Sequence, residues 1–169
     1  FDSTLTVNTT TLNTTYYIDS CFNSSTWTWY PCAKYYDASF IAKYNSKGGL
    51  IWAKKICETK ANMHFYSKAI AIDTSGNCYI TGSFADTLYF NNGSSIIFNN
   101  PVSNTTPYHI FIAKTDSSGN TIWAKNVCPN SASGNSPTDI EFDSANIFIT
   151  GAYLDTAIFD SYALNGIGM

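Results

Sequence analysis

Short runs in which apolar and polar positions alternate recur along the chain. In 78–84, Cys78, Ile80 and Phe84 fall on one side, with Gly82 between the latter pair. A strand sends successive side chains to opposite faces, whereas an amphipathic helix repeats its apolar positions three and four residues apart. The pattern predicts four principal strands in one stretch, roughly 69–73, 78–84, 109–115 and 121–127. Each is rich in Ile, Phe, Tyr, Trp or Thr and bounded by Gly, Asn, Asp or Ser. Residues 69–73 are aliphatic or small on both faces, as expected of a strand buried between two sheets. Asp73-Thr74-Ser75-Gly76-Asn77 and Asp116-Ser117-Ser118-Gly119-Asn120 read as tight hairpin turns, because Asp and Asn bond to nearby backbone and Gly takes positive φ.

These strands belong to a repeat. Residues 40–54, FIAKYNSKGGLIWAK, and 111–125, FIAKTDSSGNTIWAK, share ten of fifteen positions without a gap. The match continues outward. Ala69-Ile70-Ala71-Ile72-Asp73 corresponds to Asp139-Ile140-Glu141-Phe142-Asp143, and Tyr79-Ile80-Thr81-Gly82 to Phe148-Ile149-Thr150-Gly151. Phe84–Phe90 corresponds to Tyr153–Phe159, and a third copy of that element opens the chain at Phe1–Val7. A period of about seventy residues with four antiparallel strands describes a β-propeller blade, which needs stacked copies to bury both faces. The expected fold is therefore all-β, a partial propeller of about two blade-equivalents. Residues 1–57 form the second half of a blade with an insertion at about 18–36, 58–127 a complete blade, and 128–169 the first half of another. The repeat core is expected at Trp52, Trp123, Gly82 and Gly151, with both tryptophans wedged between blades.

The runs IAIDTSGNCYITGSF and IFIAKTDSSGNTIWAK resemble the secreted seven-bladed propeller repeat, the SBBP repeat, over most of 38–159. That resemblance implies large extracellular or surface proteins without catalytic residues, some bacterial and some from giant viruses. Two features depart from the family pattern: the second copy shortens Ser-Gly-Asn to Ala145-Asn146, and the units are longer than usual. Closed propellers take four to eight blades. Half-blades at both ends leave two explanations open, a segment of a longer propeller or chains that complete one another in a ring.

Composition narrows the function. Charged residues make up 12% of the chain, arginine is absent, and the net charge is −3. A nucleic-acid partner would need a basic footprint with arginine forks, so none is expected. No apolar run reaches the length of a membrane span. No Gly-x-Ser-x-Gly, His-Glu-x-x-His or phosphate loop occurs, and His64 and His109 have no sequence partners, so no enzyme activity and no cofactor or metal is expected. The Asp turns lack the spaced carboxylates of a calcium loop.

Relative to the next unit, about twelve extra residues fall around CFNSSTWTWYPCAKYY. A Cys21–Cys32 bridge would staple this insertion and implies an oxidising compartment. Cys78 aligns with Ile147 and reads as a small core residue. Trp27, Trp29, Tyr30, Tyr35 and Tyr36 are either aromatics exposed for a glycan or protein partner, or packing for the loop itself. Sequons at Asn8, Asn13, Asn23, Asn92 and Asn104 mark glycosylation acceptors in the long connections between second and third strands, with none inside a strand.

The expected function is a non-catalytic structural or protein-interaction module on the outside of a cell or particle. The alternative is a glycan-binding, lectin-like module, with closure by oligomerisation. Partners are proteins, glycans or further blades of a longer chain. The Arg-free, Asn-, Ile- and Lys-rich usage suits an AT-rich genome, which extends the expected setting to a virion surface.

Overall fold

The computed structural model describes residues 4–14, 16–59, 65–85, 87–97, 108–128, 134–154 and 156–166, which form an all-β chain with no helix. Consecutive strands pair as antiparallel hairpins. These are β1 (Thr4–Val7) with β2 (Thr10–Asn13), and β3 (Tyr16–Asn23) with β4 (Thr28–Tyr35). Next come β5 (Ala38–Tyr44) with β6 (Leu50–Thr59), and β7 (Phe65–Ile72) with β8 (Cys78–Phe84). They are followed by β9 (Thr87–Phe90) with β10 (Ser95–Ile97), and β11 (His109–Thr115) with β12 (Thr121–Asn126). The last are β13 (Ser136–Asp143) with β14 (Asn146–Ala152), and β15 (Thr156–Phe159) with β16 (Tyr162–Asn165).

Two four-stranded sheets result. The second, in order β12-β11-β8-β7, contains the four strands expected from 69–127, with β8 and β11 at their expected bounds. The first is built differently, in order β10-β9-β6-β5. Hairpin β9–β10 follows β8 in the chain but crosses over to pair with β6, Phe90 opposite Cys57 and Leu88 opposite Thr59. The stretch expected to be a plain connection is thus a strand pair lent to the preceding sheet. Its signal was present: Leu88 and Phe90 are buried at period two, and Asn92-Gly93 makes the turn, with Gly93 at φ 83°. Among the described residues no sheet closes on itself, and β1–β2, β3–β4, β13–β14 and β15–β16 stand as two-stranded sheets.

The two large sheets share one core cluster. Ile41, Ile56 and Cys57 come from the first, Ile80, Phe84, Phe111 and Ala113 from the second, and Leu88 and Phe90 from the crossing hairpin. Fully burying side chains of this size stabilises by about 1.5–3 kcal/mol each. A second cluster, centred on Tyr79, Ile112 and Ile140, joins the opposite face of the second sheet to β13 and β14. Tyr79 and Phe142 stack there with centroids 5.3 Å apart. Strand β8 therefore has a core on each side, and all seven of its residues are buried.

Strand β7 does not follow the expectation for 69–73. Ala69 and Ala71 pack on the second cluster, but Ile70 and Ile72 on the other face are exposed, because β7 is the outer strand of its sheet. Repeat positions also differ in setting. Gly82 is buried and Gly151 exposed. Trp52 is half-buried, packed against the first cluster, with its ring where a Cβ on Gly119 would fall, whereas Trp123 is 37% exposed and meets Tyr79 at 6.4 Å.

The predicted Asp turns form as such. Asp73 Oδ1 accepts from the amides of Ser75 and Asn77 at 3.0 and 2.9 Å, and Oδ2 accepts from Asn77 Nδ2 at 2.8 Å. Asp116 repeats the arrangement with Ser118 and Asn120. The Asn77 side-chain bond, with the two backbone amides and the Lys114 charge, holds the Asp73 carboxyl below its ordinary value. Its stabilising effect is present above the unfolded aspartate value and lost as the pH falls through the depressed folded one. Asn77→Ala will move the Asp73 titration upward toward the ordinary aspartate range, read by carboxyl NMR. An unmoved Asp73 would show that this hydrogen bond is not the main cause.

Candidate functional site

The hairpin β3–β4 presents the clearest candidate surface. Cys21 and Cys32 are joined by a disulfide with Cα atoms 5.8 Å apart, and the cross-strand register sets Cys21 opposite Tyr30 and Cys32 opposite Asp19. The bridge is therefore a diagonal staple across the two strands. Closing a loop of this size stabilises by about 3 kcal/mol in the chain-entropy account.

Beyond the staple, the tip turns on Asn23, whose Oδ1 accepts from the amides of Ser25 and Thr26 at 2.9 and 3.3 Å. Trp27 takes positive φ, 53°, in that turn. Trp27 and Trp29 are 81% and 70% exposed, so they do not pack the insertion onto its neighbours; Tyr30 is exposed as well. Phe22, opposite Trp29, lies 5.1 Å from the Trp29 ring and 5.9 Å from Trp27. The hairpin register was the missing signal: a Cys21–Cys32 diagonal brings residue 22 across from residue 29. A shallow cleft of about 270 Å³ runs alongside, lined by Ile18, Asp19, Ser20, Trp29, Tyr30 and Pro31. Tyr36 is half-buried at the hairpin base, apart from this group; the Tyr35 side chain lies outside the described residues. An exposed aromatic ledge with a neighbouring carboxylate and hydroxyl can stack on a flat apolar face and hydrogen-bond at its rim.

Of the sequons, Asn8 and Asn92 sit in hairpin turns and Asn104 lies outside the described residues. Asn13 and Asn23 end strands β2 and β3, which corrects the placement of every sequon outside strands. The correction follows from the short hairpins hidden in the long connections. Asn8, Asn13, Asn23 and Asn92 are all exposed. Asn92 Oδ1 accepts from both the amide and hydroxyl of Ser94.

A different asparagine, unremarked in the sequence, joins the two large sheets. Asn91 Nδ2 donates to the carbonyls of Lys55 and Gly119, both at 3.0 Å, and its Oδ1 accepts from the Thr121 amide at 2.8 Å. Lys54 Nζ adds a 2.6 Å bond to Asn120 Oδ1 across the same joint.

Cys57, Cys78 and Cys128 are buried. Burial pushes the Cys57 and Cys78 thiols up, away from the thiolate that nucleophilic chemistry requires. Among the described residues no group of three or more His, Cys, Asp or Glu converges as metal ligands, and no helix is long and apolar enough to cross a membrane.

No family model and no curated protein matches the chain.

Proposed function

We propose that the chain is a non-catalytic segment of an extracellular or particle-surface β-propeller of the SBBP-repeat kind, acting as a structural and protein-interaction module. The observation that carries this reading is the packing of two four-stranded antiparallel sheets and a further repeat hairpin through two core clusters. A stack of this kind buries the facing sides of its sheets and presents turns and rims to solvent. The disulfide and the four exposed sequon asparagines support a place outside the cytoplasm. Intact mass of the protein isolated from its native source, before and after enzymatic deglycosylation, tests the placement. The expected result is a mass loss in whole glycan increments with conversion of Asn8, Asn13, Asn23 or Asn92 to aspartate. An unchanged mass at every sequon removes the extracellular assignment.

The exposure of Trp27 and Trp29 favours glycan binding as a second reading. A glycan array repeated with Trp29→Ala decides it: loss of signal assigns the ledge, and binding indifferent to the substitution removes it.

A further inference from the structure

Strands β8 and β14 carry nearly the same text, Tyr79-Ile80-Thr81-Gly82 and Phe148-Ile149-Thr150-Gly151, in very different surroundings. All of β8 is buried, while no residue of β14 is: Ile147 and Ile149 are half-buried and the rest exposed. The difference is a neighbour. β8 lies between β7 and β11; β14 has β13 on one side and, among the described residues, no strand on the other.

What β11 brings to β8 is visible in detail. Phe111 stands opposite Gly82 and Ala113 opposite Ile80. The Phe111 ring lies so close over Gly82 that a Cβ there would sit 2.7 Å from its Cε1, and the ring meets Phe84 and Phe90 edge-on at 6.2 and 6.3 Å. Thr81 Oγ1 donates to the Phe111 carbonyl at 2.8 Å. Lys114 reaches Asp73 at 3.6 Å and lies 4.8 Å over the Tyr79 ring.

Each acceptor in that list recurs around β14. The positions of Gly82, Phe84 and Phe90 are taken by Gly151, Tyr153 and Phe159, and these line an open cavity of about 340 Å³ instead of holding a ring. Asn135, buried in the same cavity wall, has neither side-chain amide atom hydrogen-bonded among the described residues. Asp143 and Phe148 stand where Asp73 and Tyr79 stand. The matching donor strand is β5, at the outer edge of the first sheet. It carries Phe40-Ile41-Ala42-Lys43 in the positions of Phe111–Lys114, and Phe40 is 45% exposed where Phe111 is 1%.

We propose that the outer edge of β14 receives β5 of a second copy of this chain, with the Phe40 ring filling the cavity beside Gly151. Ile41 then lies opposite Thr150, Ala42 opposite Ile149, and Lys43 within reach of Asp143. The contact is heterologous, so it propagates head to tail and either closes as a ring or runs on as a fibre. It rests on the repeat-module reading proposed above and names the partner that reading lacks.

Mixing two single variants, Ala42→Cys and Ile149→Cys, under mild oxidation tests the register. Directly opposed strand residues have Cα atoms about 4.5–5.5 Å apart, within disulfide range. The expected product is a crosslinked dimer containing one chain of each kind, absent when either variant is oxidised alone. Adding Phe40→Ala to the Ala42→Cys chain is expected to weaken association about a hundredfold or more, seen by sedimentation, because the cavity loses its occupant. A strand-rich protein that sediments as a monomer at about 100 µM, where a micromolar contact saturates, and gives no mixed dimer overturns the proposal. So does a crosslink that forms within one chain of the doubly substituted protein, which would assign the edge to this chain itself. The result is independent of glycosylation, so an unchanged mass at the sequons and a failed crosslink count against different conclusions.

Discussion

Gly82→Ala will unfold the protein at a temperature about 10 °C or more below the parent, a loss of about 3–5 kcal/mol. A Cβ at this position runs into the Tyr66 carbonyl oxygen and stands 2.9 Å from the Tyr66 carbonyl carbon and 2.7 Å from Phe111 Cε1. Backbone on one side and a fully packed ring on the other leave no direction for relief. Thermal unfolding followed by circular dichroism reads the shift. Gly93→Ala is the informative control, since it meets nothing within 4 Å and carries only the cost of φ 83°, about 1–2 kcal/mol. Equal effects at the two positions would mean that the close approach at Gly82 is not what makes glycine necessary there.

Phe111→Ala will cost about 3–5 kcal/mol in urea unfolding, with the slope against denaturant unchanged. Phe111 is 1% exposed and joins both large sheets through Phe84, Phe90 and the first core cluster, so truncation leaves a cavity at the centre. Because its ring also crowds Gly82, the two substitutions are not independent. Combined, they will cost less than their sum by about 0.5–3 kcal/mol, the ring clash having been removed while the Tyr66 clash remains. Strict additivity would show that the ring does not lie over the glycine.

Periodicity made most of the second sheet legible, because β7–β8 and β11–β12 are hairpins whose turns carry their own chemistry at Asp73–Asn77 and Asp116–Asn120. The disulfide was legible as well, since both cysteines arrive with the same insertion. The crossing of β9–β10 was not. Alternation reports that a segment is a strand but carries no information about which sheet edge it joins, and Leu88 and Phe90 suit either neighbour. Exposure of Ile70 and Ile72 escaped for a related reason: an aliphatic strand reads as buried on both faces whether or not a second sheet is there to cover it. Asn91 escaped because its three hydrogen bonds go to residues 28–36 positions away, beyond any local pattern. At the tip, Trp27 and Trp29 were legible as candidates, but the choice between packing and display depended on which way the stapled hairpin points.

The hairpin that crosses from one unit to the one before it also governs when each can mature. On the ribosome, strands β5 and β6 emerge early, yet the edge of β6 stays unprotected until residues 87–97 have been made. At 5–20 residues per second, that interval is a few seconds in which an unpaired strand edge faces the crowded cell. Native structure in the first sheet therefore lags its own synthesis by roughly half a period, and that sheet finishes only once the strands of its successor have begun to appear.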